Sequence, residues 1–168
     1  MSFYDKITPP TSTTKLFLDF ILSDTDSKGL STPNEKISRT SWTYDGVGNS
    51  QVKIEELFKK CFLFPHELTA VWYQVYAKHT NSYHGFHHHC NDNCDRSGIF
   101  YIKLTDRKLL TQFKYDDMIV TPDAQEGDII LFDASILHQS PPNDTNEDKI
   151  IVSFNFKTSN ERTDSPSS

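Results

Sequence analysis

Polar and apolar residues alternate along Lys149-Ile150-Ile151-Val152-Ser153-Phe154-Asn155-Phe156. In an extended chain successive side chains point to opposite faces, so this pattern predicts a strand with one wholly apolar face. The other face carries an ammonium, a hydroxyl and an amide, from Lys149, Ser153 and Asn155. These groups could receive a carboxylate. The alternative is an edge strand whose polar face simply contacts water.

Nine further segments also have the character of short strands. They are rich in β-branched and aromatic residues and are bounded by Gly, Pro, Asn, Asp or Ser. With the segment above, the predicted strands are Lys15–Leu22, Lys36–Tyr44, Thr69–Lys78, His84–Cys90, Gly98–Leu104, Leu110–Lys114, Asp117–Val120, Asp128–Phe132, Ile136–His138 and Lys149–Lys157. Strands that follow one another without helices between them pair antiparallel. About ten of them in one domain close as a sandwich, a jelly roll or a small barrel.

One segment has a clear helical pattern. Val52 to Cys61 places apolar residues at i, i+3, i+4 and i+7, with charged residues on the opposite face. The chain of 168 residues, 36% of them hydrophobic, suits a single core. We expect a mainly β domain over residues 14–158 with one or two short helices in its N-terminal part. Residues 1–13 and 159–168, rich in Ser, Thr, Pro and charge, are expected to be flexible tails.

Composition excludes several classes of function. The net charge of −6 argues against binding to duplex nucleic acid, which requires a basic surface. No apolar run approaches the roughly 20 residues needed to cross a bilayer, and Met1 to Pro10 lacks the features of a signal peptide. We therefore expect a soluble, cytoplasmic protein without membrane partners. Three cysteines are too few for a disulfide framework, so free thiols are expected.

Histidines supply the main chemical signal. Four of the seven lie within Tyr83–Cys90, and in a strand His87 and His89 would project from the same face, as a chelate requires. The alternative is a polar surface turn that binds metal adventitiously. His138 follows a predicted buried strand, where a lone histidine is more often a core residue. A ligand role for His138 is nevertheless favoured, because His87 and His89 need one or two further ligands to complete a metal site that keeps open positions.

These segments together resemble the iron(II)- and 2-oxoglutarate-dependent oxygenases of the double-stranded β-helix fold, which is jelly-roll or cupin-like. The resemblance spans residues 69–157, and the first 68 residues contribute little to it. It rests on elements in the family's order: Trp72-Tyr73-Gln74-Val75-Tyr76, His87-His88-His89, Ser97-Gly98-Ile99-Phe100-Tyr101, Gly127-Asp128, Ile129 to Phe132, His138, Pro141-Pro142-Asn143, Lys149 and Ser153-Phe154-Asn155.

The resemblance implies a non-haem dioxygenase of the hydroxylase type acting on an unknown substrate. Its metal, Fe(II), would be held by His87, His89 and His138. Its cosubstrate, 2-oxoglutarate, would chelate the metal and place its distal carboxylate on Lys149. No catalytic residue beyond the metal ligands is implied. The other residues expected at the cosubstrate are Ser153, Asn155, Gln74, Tyr76 and Tyr101.

Two positions depart from the family pattern. His89 stands where the family usually has a carboxylate ligand, so the metal site would be one unit more positive. Lys149 stands where most relatives have arginine. Lysine offers a point charge in place of a bidentate fork, so neighbouring side chains would have to orient the cosubstrate.

Three alternatives remain open at the level of sequence. One is a cupin-type dioxygenase with three histidine ligands that needs no 2-oxoglutarate. Another is a structural zinc site built from His87, His89, Cys90 and Cys94. The third is a non-catalytic β-helix module for binding or assembly, with a degenerate metal pocket. The substrate and the oligomeric state are not indicated by the sequence.

Overall fold

A computed structural model describes residues 2–158. It contains the helices α1 (Thr11–Ser23) and α2 (Asn49–Cys61), and a short 3₁₀ turn at Arg107–Leu109. The strands are β1 (Tyr4–Ile7), β2 (Lys28–Thr32), β3 (Glu35–Thr40), β4 (Glu67–Tyr76), β5 (Ser82–His87), β6 (Arg96–Lys103), β7 (Gln112–Tyr115), β8 (Met118–Val120), β9 (Ile129–Asp133), β10 (Leu137–Asn143) and β11 (Lys149–Lys157). The predicted class, mainly β with two helices in the N-terminal part, is confirmed.

One antiparallel sheet curls over on itself at β3. The strand order is β1-β9-β6-β11-β4-β3-β5-β10-β7-β8, and β2 pairs with β3. β3 pairs with β4 through Arg39 and Thr40 and with β5 through Glu35 and Lys36. It therefore joins a major layer that ends in β4 to a minor layer that begins with β5. The space between the two layers holds the candidate site.

The major layer is buried on both faces. Its outer face packs against the helices, where Phe17, Ile21, Ile54 and Phe58 are fully or almost fully buried. Along β11 the apolar set predicted from the alternation joins this helix-facing core. β11 lies between β4 and β6, so the alternative of an edge strand with a water-exposed polar face is wrong. The polar set instead faces the interior between the layers.

The N-terminal part differs from the sequence expectation in two places. The predicted strand Lys15–Leu22 lies inside α1, because Phe17 and Ile21, four residues apart, share the buried helical face while Leu16 and Leu22 are exposed. The predicted tail at residues 1–13 contains β1, which pairs with β9. Backbone pairing with β9 orders this segment although its composition offers little to bury. The predicted C-terminal tail, 159–168, lies outside the described residues, and the domain division at 14–158 stays a prediction.

Two smaller expectations can also be checked. The cysteines Cys61, Cys90 and Cys94 are free thiols, as predicted. Among the described residues there is no helix with the length and hydropathy needed to span a bilayer.

Gly98 on β6 is required by the ring that lies over it. Gly98 pairs with Phe154, and a Cβ added at Gly98 would lie 2.1 Å from Cζ of that ring. The ring has little freedom to move, since its centre lies 4.7 Å from that of Phe58 and 5.7 Å from that of Phe64. We expect Gly98→Ala to lower the free energy of unfolding by about 1–3 kcal/mol, the usual cost of overpacking.

Urea unfolding followed by circular dichroism measures this effect. In the double variant Gly98→Ala/Phe154→Leu the smaller side chain makes room for the methyl group. The stability losses of the two single variants should therefore add up to more than the loss measured for the double variant. Strict additivity would contradict the assigned clash.

Candidate metal centre and adjoining pocket

Three histidines converge between the layers. His87 ends β5 and His138 lies directly opposite it on β10 in the antiparallel pairing. His89 lies two residues beyond the end of β5, where its backbone N–H donates to the carbonyl of Ala134 at 2.8 Å. The potential ligand atoms of the three side chains lie within 4.8 Å of one another. The structure thus brings together the three predicted metal ligands.

Hydrogen bonds fix the orientation of each ring. Nδ1 of His87 lies 2.7 Å from the Gly85 carbonyl, and Nδ1 of His138 lies 3.0 Å from the Ile136 carbonyl. Nδ1 of His89 lies 2.8 Å from the carboxylate of Asp92. Because these oxygens accept hydrogen bonds, each Nδ1 carries the proton and each Nε2 keeps a lone pair for a metal.

Burial keeps the three imidazoles neutral. It lowers the pKa of His87 to about 4, with a further contribution from the neighbouring His89. Burial also lowers the pKa of His89, and it lowers that of His138 well below its ordinary value. Since a neutral imidazole is the form that ligates metals, the cluster is ready to bind without losing protons.

The cluster contains no carboxylate. Within residues 2–158 the group of potential ligands consists of three histidines, and Asp92 contacts the outer nitrogen of His89. The thiols of Cys90 and Cys94 are not in this group: Cys90 contacts Nδ1 of His88, and Cys94 donates to the backbone carbonyl of His89. The described residues therefore do not assemble the zinc site that the sequence left open.

Lys149 is fully buried, and its contacts are with Ser140 and Tyr76, two residues that lie on either side of the space between the layers. Its Nζ donates to Oγ of Ser140 at 2.7 Å and lies 5.3 Å from the centre of the Tyr76 ring. It has no ion pair with a carboxylate among the described residues, and burial lowers its pKa to about 7. Two other buried hydroxyls nearby, those of Tyr76 and Thr111, have no hydrogen bond of normal geometry.

The five remaining residues expected at the cosubstrate lie in three places. Gln74, Tyr76 and Ser153 line the inner cavity between the histidines and the major layer. Tyr101 is fully buried and does not line this cavity; its hydroxyl accepts a hydrogen bond from the backbone N–H of Thr111 at 3.4 Å. Asn155 lines a neighbouring outer pocket and accepts a hydrogen bond from Ser97 Oγ at 2.8 Å.

The outer pocket opens directly onto the metal cluster. Its volume is about 320 Å³, and it shares Trp72, Gln74, His84, His87 and His89 with the inner cavity. This volume is at the lower end of the range for small-molecule sites. Most of the rest of its wall comes from β2, β3 and the chain on either side of β3, and His88, Asp92 and Asn155 complete it.

No protein-family model and no curated protein sequence matches this chain. Solved structures do match it. A prolyl-4-hydroxylase from Pseudomonas putida aligns with a TM-score of 0.65 at 10% identity, over 93% of each chain. An oxidoreductase of the 2OG-Fe(II) oxygenase family from Burkholderia pseudomallei aligns at 0.61 and 10% identity, over 92% of this chain and 85% of that one. HygX from Streptomyces hygroscopicus, solved with nickel and 2-oxoglutarate, aligns at 0.64 and 10% identity, over 92% and 82%.

The chain has the double-stranded β-helix fold of these proteins. The fold predicted from the sequence motifs is therefore confirmed. The three histidines lie inside this β-helix, on β5, just after β5, and on β10.

The inner cavity also contains residues that were not predicted at the site, among them His84, Thr111 and Ser140. Ser140 had a usable signal, since it lies two residues after His138 and so shares its face on a strand. His84 belongs to the histidine-rich stretch, and its ring stacks on that of His87 with centres 3.7 Å apart. Thr111 carries no signal in the sequence.

Asp92 is expected to support metal binding through His89. Removing an outer partner of a histidine ligand typically lowers metal affinity about 10–100-fold, so we expect Asp92→Ala to fall in this range. Isothermal titration with Ni(II) measures it. The control is Asp123→Ala, which removes a carboxylate that pairs with Arg107 on the surface. Equal affinities for the two variants would contradict the role assigned to Asp92.

Proposed function

We propose that the protein is a non-haem dioxygenase of the hydroxylase type that depends on Fe(II) and 2-oxoglutarate. The observation that carries the proposal is a cluster of three oriented, neutral histidines inside a double-stranded β-helix. His87, His89 and His138 would hold Fe(II). Their potential ligand atoms lie within 4.8 Å of one another, close enough for one ion to contact all three.

The inner cavity has the chemistry to receive a carboxylate. A buried ammonium is normally paired with an anion, yet within residues 2–158 Lys149 has a hydrogen bond to the Ser140 hydroxyl and no anionic partner. Buried hydroxyls normally have partners, yet those of Tyr76 and Thr111 lack them. The distal carboxylate of 2-oxoglutarate would satisfy all three groups. When bound, iron and 2-oxoglutarate supply the activation of O₂ for oxidation of a substrate C–H bond.

The other residues of the inner cavity would orient the cosubstrate and shape its space. Gln74 and Ser153 face it from β4 and β11, and Tyr101 holds Thr111 in place through the backbone. The cavity has a volume of about 20 Å³ in this conformation, so side chains must rotate to admit a five-carbon diacid. Gln74 is suited to this movement because its contact with His84 is long, at 3.5 Å.

Anaerobic titration of the metal-free protein with Fe(II), followed by 2-oxoglutarate, tests the proposal. Chelation of the iron by the cosubstrate produces a visible metal-to-ligand charge-transfer band. We expect this band in the wild-type protein. Failure to bind iron at all would overturn the proposal and would favour the non-catalytic module.

A dioxygenase with three histidine ligands and no 2-oxoglutarate is the second candidate. It is favoured by the absence of a carboxylate ligand in the cluster and by the narrow inner cavity. The same titration separates the two candidates, because this enzyme would bind iron and give no charge-transfer band with 2-oxoglutarate.

A further inference from the structure

A buried carboxylate lies in the outer pocket, outside the metal cluster. Glu35, the first residue of β3, is 4% exposed. Its Oε1 accepts hydrogen bonds from the hydroxyls of Tyr44 at 2.7 Å and Thr32 at 3.3 Å. Its Oε2 lies 3.2 Å from Nε2 of His84. The bond to Glu35 raises the pKa of Tyr44 to about 12, because a charged acceptor stabilises the protonated phenol.

Two of these three donors are hydroxyls, and the third is the ring of His84. Because a carboxylate oxygen accepts hydrogen bonds, Nε2 of His84 carries a proton and donates it to Glu35.

No described lysine or arginine balances this carboxylate. The walls of the outer pocket contain no lysine or arginine, and they contain a second carboxylate, Asp92. Within residues 2–158 no lysine or arginine forms an ion pair with Glu35. Bound Fe(II), the dianion of 2-oxoglutarate and the ammonium of Lys149 would together carry one positive charge, against the two carboxylates Glu35 and Asp92, so the loaded pocket would still be negative. Since buried charges are normally paired, a positive group is missing from this pocket.

Aromatic rings form one wall of the same pocket and lead to the metal cluster. The ring centres of Trp42 and Tyr44 are 6.3 Å apart, and those of Trp42 and Trp72 are 5.2 Å apart. The Trp72 ring in turn lies 5.8 Å from that of His89. Tryptophan and tyrosine faces attract cations. Tyr44 is 67% exposed, so this wall opens to solvent at its Tyr44 end.

We propose that the outer pocket binds an organic ammonium group between Glu35 and this aromatic wall. Of about four lone-pair positions on the Glu35 carboxylate three are occupied, which leaves one for an N–H of a primary ammonium and too few for the fork of a guanidinium. A quaternary ammonium has no N–H, so Glu35 and the aromatic rings would attract it through its charge alone. Because this inference rests on the proposed function, the substrate of the proposed dioxygenase is an alkylammonium compound. Its positive end binds at Glu35, and a carbon of its alkyl chain lies near the metal.

Choline and its neutral isostere 3,3-dimethylbutan-1-ol provide a direct test. Trp42 and Trp72 are the two tryptophans of the chain and both line this pocket, so intrinsic fluorescence reports its occupancy. In titrations of the full chain we expect choline to bind at least about tenfold more tightly than the alcohol. n-Butylammonium, run in parallel, distinguishes recognition of a quaternary from that of a primary ammonium. The anion 3,3-dimethylbutanoate should not bind.

The variant Glu35→Gln should abolish the preference for choline over the alcohol. Glu55→Gln is the matched control, because it removes the same charge from the surface of α2, where Glu55 pairs with Lys59. The proposal is overturned if the alcohol or the anion binds the wild-type protein as tightly as choline, a result that needs no variant to fold. These titrations require neither iron nor 2-oxoglutarate, so their outcome is independent of the charge-transfer experiment.

Discussion

Replacing His138 with alanine is expected to lower the affinity for Fe(II) by more than about 100-fold. This loss exceeds the one expected for Asp92→Ala, which removes only the hydrogen-bond partner of a histidine. His138 is 5% exposed, and its Nδ1 is engaged by the Ile136 carbonyl. Its Nε2 is therefore aimed at the other two histidines by the strand that carries it. Alanine removes one of three protein ligands, and no described carboxylate lies in the cluster to replace it.

Thermal unfolding with and without Ni(II) measures this loss independently of activity. A metal that binds only the folded state stabilises it by about 2.7 kcal/mol at 100 times its Kd, so wild-type protein should melt at a higher temperature with metal. His138→Ala should show no such shift. His88→Ala is the matched control, since His88 is exposed and lies outside the cluster. A shift lost equally in both variants would contradict the assigned ligands.

The sequence predicted the metal cluster better than it predicted the elements that carry it. The predicted strand His84–Cys90 places His87 and His89 on one face, yet β5 ends at His87. His89 reaches the same place because its backbone bonds to Ala134, just after β9. Such a contact between distant segments leaves no local pattern. The alternation in β11 did identify the correct inner and outer faces, because a strand buried on both sides must keep its period.

The outer pocket could not have been predicted in the same way. Its characteristic groups, Glu35, Trp42 and Tyr44, belong to the first 68 residues, where the motifs gave no information. They meet the histidines because β3 pairs with both layers of the β-helix. Similarly, the position of Lys149 at the start of β11 was predicted, whereas its complete burial depends on Tyr76 and Ser140 from two other strands.

Lys149→Met is expected to lower the affinity for 2-oxoglutarate by at least about 30-fold. Removing one partner of a buried charge pair costs about 2 kcal/mol or more, and this energy corresponds to that change in affinity. The same variant should be as stable as the wild-type protein or more stable at pH 7. Methionine fills a similar volume without a charge, and an ammonium that is buried against a single hydroxyl destabilises the folded state. Loss of binding without loss of stability would separate a ligand-binding role from a structural one.

Urea unfolding at two pH values checks the stability part of this prediction. Burial lowers the pKa of Lys149 from 10.5 to about 7 in the folded protein. Between these values the unfolded chain holds more protons than the folded one, so the stability of the wild-type protein rises with pH in this window. Any advantage of Lys149→Met should therefore be largest near pH 7 and should shrink toward pH 10.

The affinity for 2-oxoglutarate should depend on pH in the opposite direction. Above about pH 7 the amine of the ligand-free protein is neutral, and it must take up a proton to pair with the distal carboxylate. Affinity should then fall by up to about tenfold for each further pH unit. Lys149→Arg stays protonated and offers a fork to the carboxylate, so its affinity should not change from pH 7 to pH 9. Because other groups titrate alike in both proteins, only the difference between their pH profiles reports on Lys149. Parallel profiles would exclude its amine from the cosubstrate site.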